Sequence, residues 1–187
     1  MADLRYTRVA IALHWLMAAL IVSGWTLGLS MVDLPFSPTR LKWYSWHKWI
    51  GVTVFGLAAL RLCWRLLKAP PPLPASIPLW QHTVSKATHV VLYVLMLVTP
   101  VIGWLFSSAA GMPTVYLGLW RLPDFVAKDE ALAGVLRNTH AALAYLLAAL
   151  IVLHIAAALK HHFIDRDTVL ARMFPFIRIK GVSRDLS

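Results

Sequence analysis

Eight histidines occur in a chain whose long apolar stretches hold almost no other ionisable side chain. An ionisable residue inside such a stretch is costly to bury and by default marks function. Four matter most: His14, His47, His140 and His154. Fourteen residues separate His140 from His154, about 21 Å along a helix at 1.5 Å per residue. At about 100° per residue, that spacing returns to within roughly 40° of the same face. One side of a helix would therefore carry two imidazoles at two levels. Imidazoles that come in twos suit a metal taking axial ligands from opposite sides, as haem iron does. Zinc typically needs about four donors converging on one point, often with cysteine or carboxylate among them. A proton relay usually includes Asp or Glu, and the apolar stretches contain neither.

The composition says what positions these side chains. Of 187 residues, 59% are hydrophobic and 14% charged, where a soluble domain has about 25% charged residues. A helix needs about 20 apolar residues to cross a hydrocarbon core of roughly 30 Å. Stretches at about 9–30, 44–67, 82–106 and 134–160 meet that length. The second is the weakest, because Lys48 and Arg61 fall within it, though both could snorkel to their respective interfaces. Pro100 in the third is tolerable where neighbouring helices satisfy the freed carbonyl. The expected fold is all-α: an integral membrane four-helix bundle forming one domain over 1–187. The first stretch is too long for a signal-peptide core and lacks a clear cleavage signature before Asp33, so it reads as a retained helix. No internal repeat is visible.

The net charge of +10 is unevenly divided. Four spans put both termini and the second loop on one side. Arg40, Lys42, Lys48, Arg121, Lys128 and Arg137 belong to the opposite side, leaving twelve of the 18 basic residues on the terminal side. The eight acids split evenly, so the two sides carry +8 and +2. The positive-inside rule then places both termini in the cytoplasm. Topology accounts for the basic character, and no nucleic-acid partner is expected. The basic tail after Lys160 is expected to lie on anionic lipid headgroups of the bilayer. Trp43, Trp46, Trp49 and Trp80 fall where helices enter the membrane, as interfacial tryptophans do. Ala69-Pro-Pro-Pro-Leu-Pro74 reads as a stiff connector. Residues 107–133 form the longest loop, and its 116–120 stretch is expected to lie in the interface as a cap. The lone Cys63 excludes an intrachain disulfide, and the absence of C-x-x-C-H excludes c-type haem attachment.

Depth then pairs the histidines. His14 lies near the terminal-side start of the first helix and His154 near the terminal-side end of the fourth. His47 and His140 both lie near the other surface. The pairs are His14 with His154 and His47 with His140. His82, His161 and His162 read as interfacial residues. His89, about two turns into the third helix, is left over; it is suited equally to a cofactor or to a neighbouring backbone carbonyl. Arg61, Arg65, Lys48 and Arg137 are placed either to pair with acidic cofactor groups or to reach lipid phosphate.

The chain resembles the bacterial cytochrome b561 family, which shares its architecture with cytochrome b subunits of membrane hydrogenases and formate dehydrogenases. The resemblance rests on Ala12-Leu-His14-Trp15-Leu, Trp46-His47-Lys-Trp-Ile-Gly51, Arg61-Leu-Cys-Trp-Arg65, the Pro-rich loop, His89-Val-Val-Leu-Tyr93, Pro100-Val-Ile-Gly103, Thr139-His140-Ala, His154 through His162, and Asp167-Thr-Val-Leu-Ala-Arg-Met173. These are collinear and span nearly the whole chain. The resemblance implies two haems b held by His14, His47, His140 and His154, electron exchange with the quinone pool through ubiquinone, and location in the bacterial inner membrane. Some members of the family oxidise superoxide at the periplasmic face and pass its electron to ubiquinone, which would make this chain a quinone-linked oxidoreductase. The alternative is a membrane-anchor or relay subunit without its own substrate, serving a partner dehydrogenase or periplasmic redox protein.

Overall fold

The computed structural model describes residues 5–72, 74, 77–174 and 176–177. The basic positions at 178, 180 and 184, on which much of the expected lipid contact of the tail depends, lie outside them. Four long helices dominate: α1 (Arg8–Val32), α2 (Pro38–Leu67), α3 (Leu79–Ala109) and α4 (Glu130–Phe163). They are followed by the one-turn α5 (Val169–Met173), and a small hairpin of β1 (Val115–Tyr116) and β2 (Trp120–Arg121) lies between α3 and α4. The long helices have 25, 30, 31 and 34 residues, so each exceeds the roughly 30 Å of a hydrocarbon core. This is an all-α membrane four-helix bundle.

The helices reach beyond their apolar runs because polar residues cap them. Oγ1 of Thr7 accepts from Ala10 N–H, Oγ of Ser37 from Arg40 N–H, and Oδ1 of Asp129 from Leu132 N–H. Each cap satisfies a donor that the first turn leaves unpaired. Ser37 followed by Pro38 starts α2 six residues before its apolar run, since proline suits the first helical position.

The surface along the spans is largely apolar. Val22, Val152 and Leu153 are more than 60% exposed along the spans, which water would penalise and a bilayer does not. The interior is narrow. Leu92, Leu95 and Leu147 form its buried centre, flanked by Ile21, Met96, Leu143, Leu150 and Ile151. The extensive helix pairings are α1 with α2, α2 with α3, and α3 with α4.

Contacts sort the bundle into two ends. At the terminal end, Tyr6 N–H donates to the Arg172 carbonyl (3.4 Å), and Trp15 Nε1 donates to the Met173 carbonyl (3.0 Å). Trp64 Nε1 donates to Oγ1 of Thr7 (2.9 Å), while the buried Arg172 guanidinium reaches the Pro72 carbonyl. These bonds clasp the first helix, the second loop and the last segment together. At the loop end, residues 110–129 fold over α2 and α3. Trp49 Nε1 donates to the Val115 carbonyl at 2.7 Å and Trp104 Nε1 to the Pro123 carbonyl at 3.1 Å. Oγ1 of Thr53 pairs with the Tyr116 hydroxyl at 2.9 Å. The expected interfacial cap is thus a hairpin turning at Leu117 and Gly118, both with positive φ.

Two of the five cations of α2 bond within the protein. The Lys48 ammonium donates to the Met112 carbonyl at 2.9 Å and holds the loop down. Arg61 turns across the bundle instead. Its Nη1 donates to the Ala10 carbonyl (2.8 Å) and its Nε to the Tyr93 hydroxyl (2.9 Å), joining α1, α2 and α3. Inside a bundle, nearby carbonyls and hydroxyls are better partners than distant water.

Candidate cofactor site

The histidines meet in twos at two levels. His47 of α2 faces His140 of α4 near the loop end, with ring centroids 6.0 Å apart and planes at 87°. His14 of α1 faces His154 of α4 near the terminal end, at 6.3 Å and 67°. On α4, Leu147 lies midway between His140 and His154 and is buried in the apolar centre. A dry layer of leucines therefore separates the two levels.

The spacing suits a metal held between two imidazoles. A metal–imidazole nitrogen bond is about 2 Å long, so two rings on opposite sides of one ion have centroids roughly 6 Å apart. Both pairs match that figure, although each member comes from a different helix.

The loop-end rings are held in a defined orientation. His47 Nδ1 lies 2.9 Å from the Gly24 carbonyl of α1, and His140 Nδ1 lies 3.0 Å from the Thr99 carbonyl of α3. A carbonyl only accepts, so Nδ1 carries the proton in each ring and the lone pair stays on Nε2, available to a metal. One helical turn on from each carbonyl is a glycine. A Cβ on Gly28 would stand 3.1 Å from Cε1 of His47, and one on Gly103 only 2.9 Å from Cε1 of His140. The two cradles are cut to the width of an imidazole, and any side chain there would displace a ring. The donor set, two imidazoles about 6 Å apart with Nε2 left available, fits an iron group such as haem.

The terminal-end rings have no such tether. Neither His14 nor His154 makes a hydrogen bond within the described residues, and Trp15 packs edge-on against His14 at 5.3 Å. His89 joins them. Its ring lies 5.4 Å from that of His154, with Nδ1 at 2.7 Å from the Ser85 carbonyl. Arg61, bonded to Ala10 and Tyr93, stands beside this cluster as its cation. The terminal-end site thus contains three imidazoles.

Of the remaining histidines, His82 keeps its buried Nε2 without a partner. His161 lies inside an ion-pair network, with Nδ1 2.6 Å from Asp167 and 3.2 Å from Asp165. Lys160 supplies that network with its own cation, 2.6 Å from Asp165. The reading of His161 as interfacial did not include this pairing, because its partners follow the end of α4 and return only through a turn. The glycine cradles were also missed. Gly103 sits in a motif quoted above, but nothing in a single chain says which ring a glycine makes room for.

The sequence also places the chain among known proteins. The family described as prokaryotic cytochrome b561 matches residues 5–176. The chain is 36% identical over 174 residues to cytochrome b561 homolog 2 of Escherichia coli (strain K12), covering 90% of each. It is 28% identical over 180 residues to cytochrome b561 homolog 1 of the same organism, covering 91% of this chain and 97% of the relative. A protein of Yersinia pestis named probable superoxide oxidase CybB is 29% identical over 177 residues, with 91% and 96% covered.

Proposed function

Since the chain belongs to the prokaryotic cytochrome b561 family, we propose that it holds two haems b in one transmembrane domain and moves electrons between the membrane surface and the quinone pool. Membership itself makes it a multi-pass bacterial membrane protein of electron transfer that binds haem b. The finer reading assigns His47 and His140 to the loop-end haem and His14 and His154 to the terminal-end haem. The observation that carries it is the pair of ring separations, 6.0 and 6.3 Å, on either side of a leucine layer.

Each haem b, when bound, would supply a one-electron iron couple, and a pair of imidazoles to hold it would suit electron transfer over oxygen binding. The chain's own residues do the rest. The Gly24 and Thr99 carbonyls fix the tautomer of His47 and His140 and increase the basicity of Nε2, one of the means by which proteins tune a metal's potential. Arg61 places a guanidinium beside the terminal-end imidazoles, where it can balance acidic groups of the cofactor. Leu92, Leu95 and Leu147 keep water and ions out of the space between the levels.

The termini lie in the cytoplasm, the loop end faces the periplasm, and the membrane is the inner one. The substrate at the loop end is superoxide, which gives up one electron and leaves as dioxygen. Two such electrons and two protons convert ubiquinone to its quinol. The loop-end face carries cations that can steer the anion. Lys48 is already committed to the Met112 carbonyl and Arg121 to Asp124, so Arg40, Lys42, Lys128 and Arg137 are the remaining candidates. The similarity to a relative named as a probable superoxide oxidase supports this reading.

Purified chain in liposomes, given superoxide and a ubiquinone analogue, should reduce both haem and quinone with no other protein present. Haem that stays oxidised would refute the superoxide assignment and leave the chain a relay for a partner dehydrogenase or periplasmic redox protein. A pyridine haemochrome assay should give two haems b per chain, and a value of one would refute the double site.

A further inference from the structure

The two glycine cradles are copies of each other. A shift of 75 residues carries Gly24 of α1 onto Thr99 of α3 and Gly28 onto Gly103. A shift of 93 residues carries His47 of α2 onto His140 of α4. In both halves an imidazole of the second helix meets a carbonyl of the first, at 2.9 and 3.0 Å, beside a glycine one turn on. The same shifts match buried positions, Met17 with Leu92 and Val54 with Leu147. The bundle is built from two related helical hairpins, α1–α2 and α3–α4. The repeat escapes sequence inspection because few identities survive; what is kept is the position of each residue on its helix.

The shifts have a consequence at the terminal end. They carry His14 onto His89, and Arg61 onto His154. Four equivalent positions therefore surround that level, three bearing imidazoles and one a guanidinium. His89 shares the two features that mark His47 and His140. Its Nδ1 is tied to a carbonyl, that of Ser85, and its Nε2 makes no hydrogen bond among the described residues. His154 thus has two imidazoles within axial reach, His14 at 6.3 Å and His89 at 5.4 Å, on either side of the 6.0 Å found at the loop end.

We propose that His89 is a second axial partner for His154, interchangeable with its structural copy His14, so that either of two imidazole pairs can hold the terminal-end haem. This rests on the two-haem reading above. His14 and His89 stand on different helices, so the choice of pair decides whether α1 or α3 is tied to α4. The orientation and hydrogen bonding of the ligands would change with it, and these tune the potential.

The test uses the full-length protein and the variants His14→Ala, His89→Ala, His14→Ala with His89→Ala, and His154→Ala. Haem is counted by pyridine haemochrome, the ligand sets are read by electron paramagnetic resonance, and potentials are titrated. The two single variants at 14 and 89 should each keep two haems, with an altered terminal-end signal in His14→Ala. The double variant and His154→Ala should each keep one. Loss of a haem in either His14→Ala or His89→Ala alone would overturn the proposal. The two-haem reading would still stand, provided wild type holds two haems and His154→Ala holds one. The loop-end signal reports folding in every variant, and His14→Asn replaces the alanine change if that signal is lost.

Discussion

Replacing Gly103 with alanine adds one methyl group at the tightest point of the loop-end site. That carbon would lie 2.9 Å from Cε1 and 3.0 Å from Nδ1 of His140, whereas ordinary contact begins at 3.4 Å. The ring must therefore retreat by about half an ångström, or α3 must move away from α4. It cannot retreat freely, because Nδ1 is held at 3.0 Å by the Thr99 carbonyl. Overpacking of this kind costs about 1–3 kcal/mol, and exchanging glycine for alanine in a helix returns about 1 kcal/mol. That gain is common to the haem-free and haem-bound states, so the penalty of about 1–3 kcal/mol falls on the alignment of His140. At about 1.4 kcal/mol per tenfold, haem affinity at the loop end drops by roughly 5- to 150-fold. Gly28→Ala, with 3.1 Å to Cε1 of His47, should show a smaller effect. Gly56→Ala and Gly134→Ala meet nothing within 4 Å and serve as controls. Haem is titrated into apoprotein in detergent and both the haemochrome count and the melting temperature are followed. Equal haem affinity in Gly103→Ala and Gly56→Ala would refute the cradle.

Other perturbations probe the remaining contacts. His140→Ala should leave one haem of two, with the terminal-end signal unchanged, as seen in the visible and paramagnetic resonance spectra; loss of both or of neither contradicts the pairing. Arg61→Gln should lower stability by about 1–3 kcal/mol, because the Ala10 carbonyl and Tyr93 hydroxyl lose a charged donor; a detergent melt reads it. Lys48→Met keeps the aliphatic stem and removes the bond to the Met112 carbonyl, so limited proteolysis should cut residues 110–129 sooner. Asp124→Asn breaks an exposed pair with Arg121 and should change the melting temperature little.

Much of this arrangement is legible in the chain because a bilayer imposes simple rules. Length and apolarity locate the spans, and alternation of direction gives each histidine a depth. The fourteen residues between His140 and His154 place two rings on one face by helix geometry alone. What stayed hidden depends on contacts between helices. Lys48 reads as a snorkelling cation until a loop carbonyl is found above it. His89 has no partner at its depth in a scheme that admits only twos. Ser37-Pro38 did announce the start of α2, but a search for apolar residues passes over a polar helical turn. The hairpin at 115–121 was unreadable as strands, since two-residue strands have no period to detect.

The clasp at the terminal end also bears on biogenesis. Trp15 and Met173 are 158 residues apart, and Tyr6 bonds to Arg172 in the same place. A nascent chain emerges from its N-terminus, so α1 enters the bilayer long before α5 exists. Until then the indole of Trp15 and the Tyr6 amide have no native partner and must be satisfied by water or lipid. The fastening of the first helix to the last is therefore the closing event of assembly. A chain cut before Thr168 would insert all four spans and still lack its latch, which would make it a better substrate for membrane quality-control proteases than its helix content suggests.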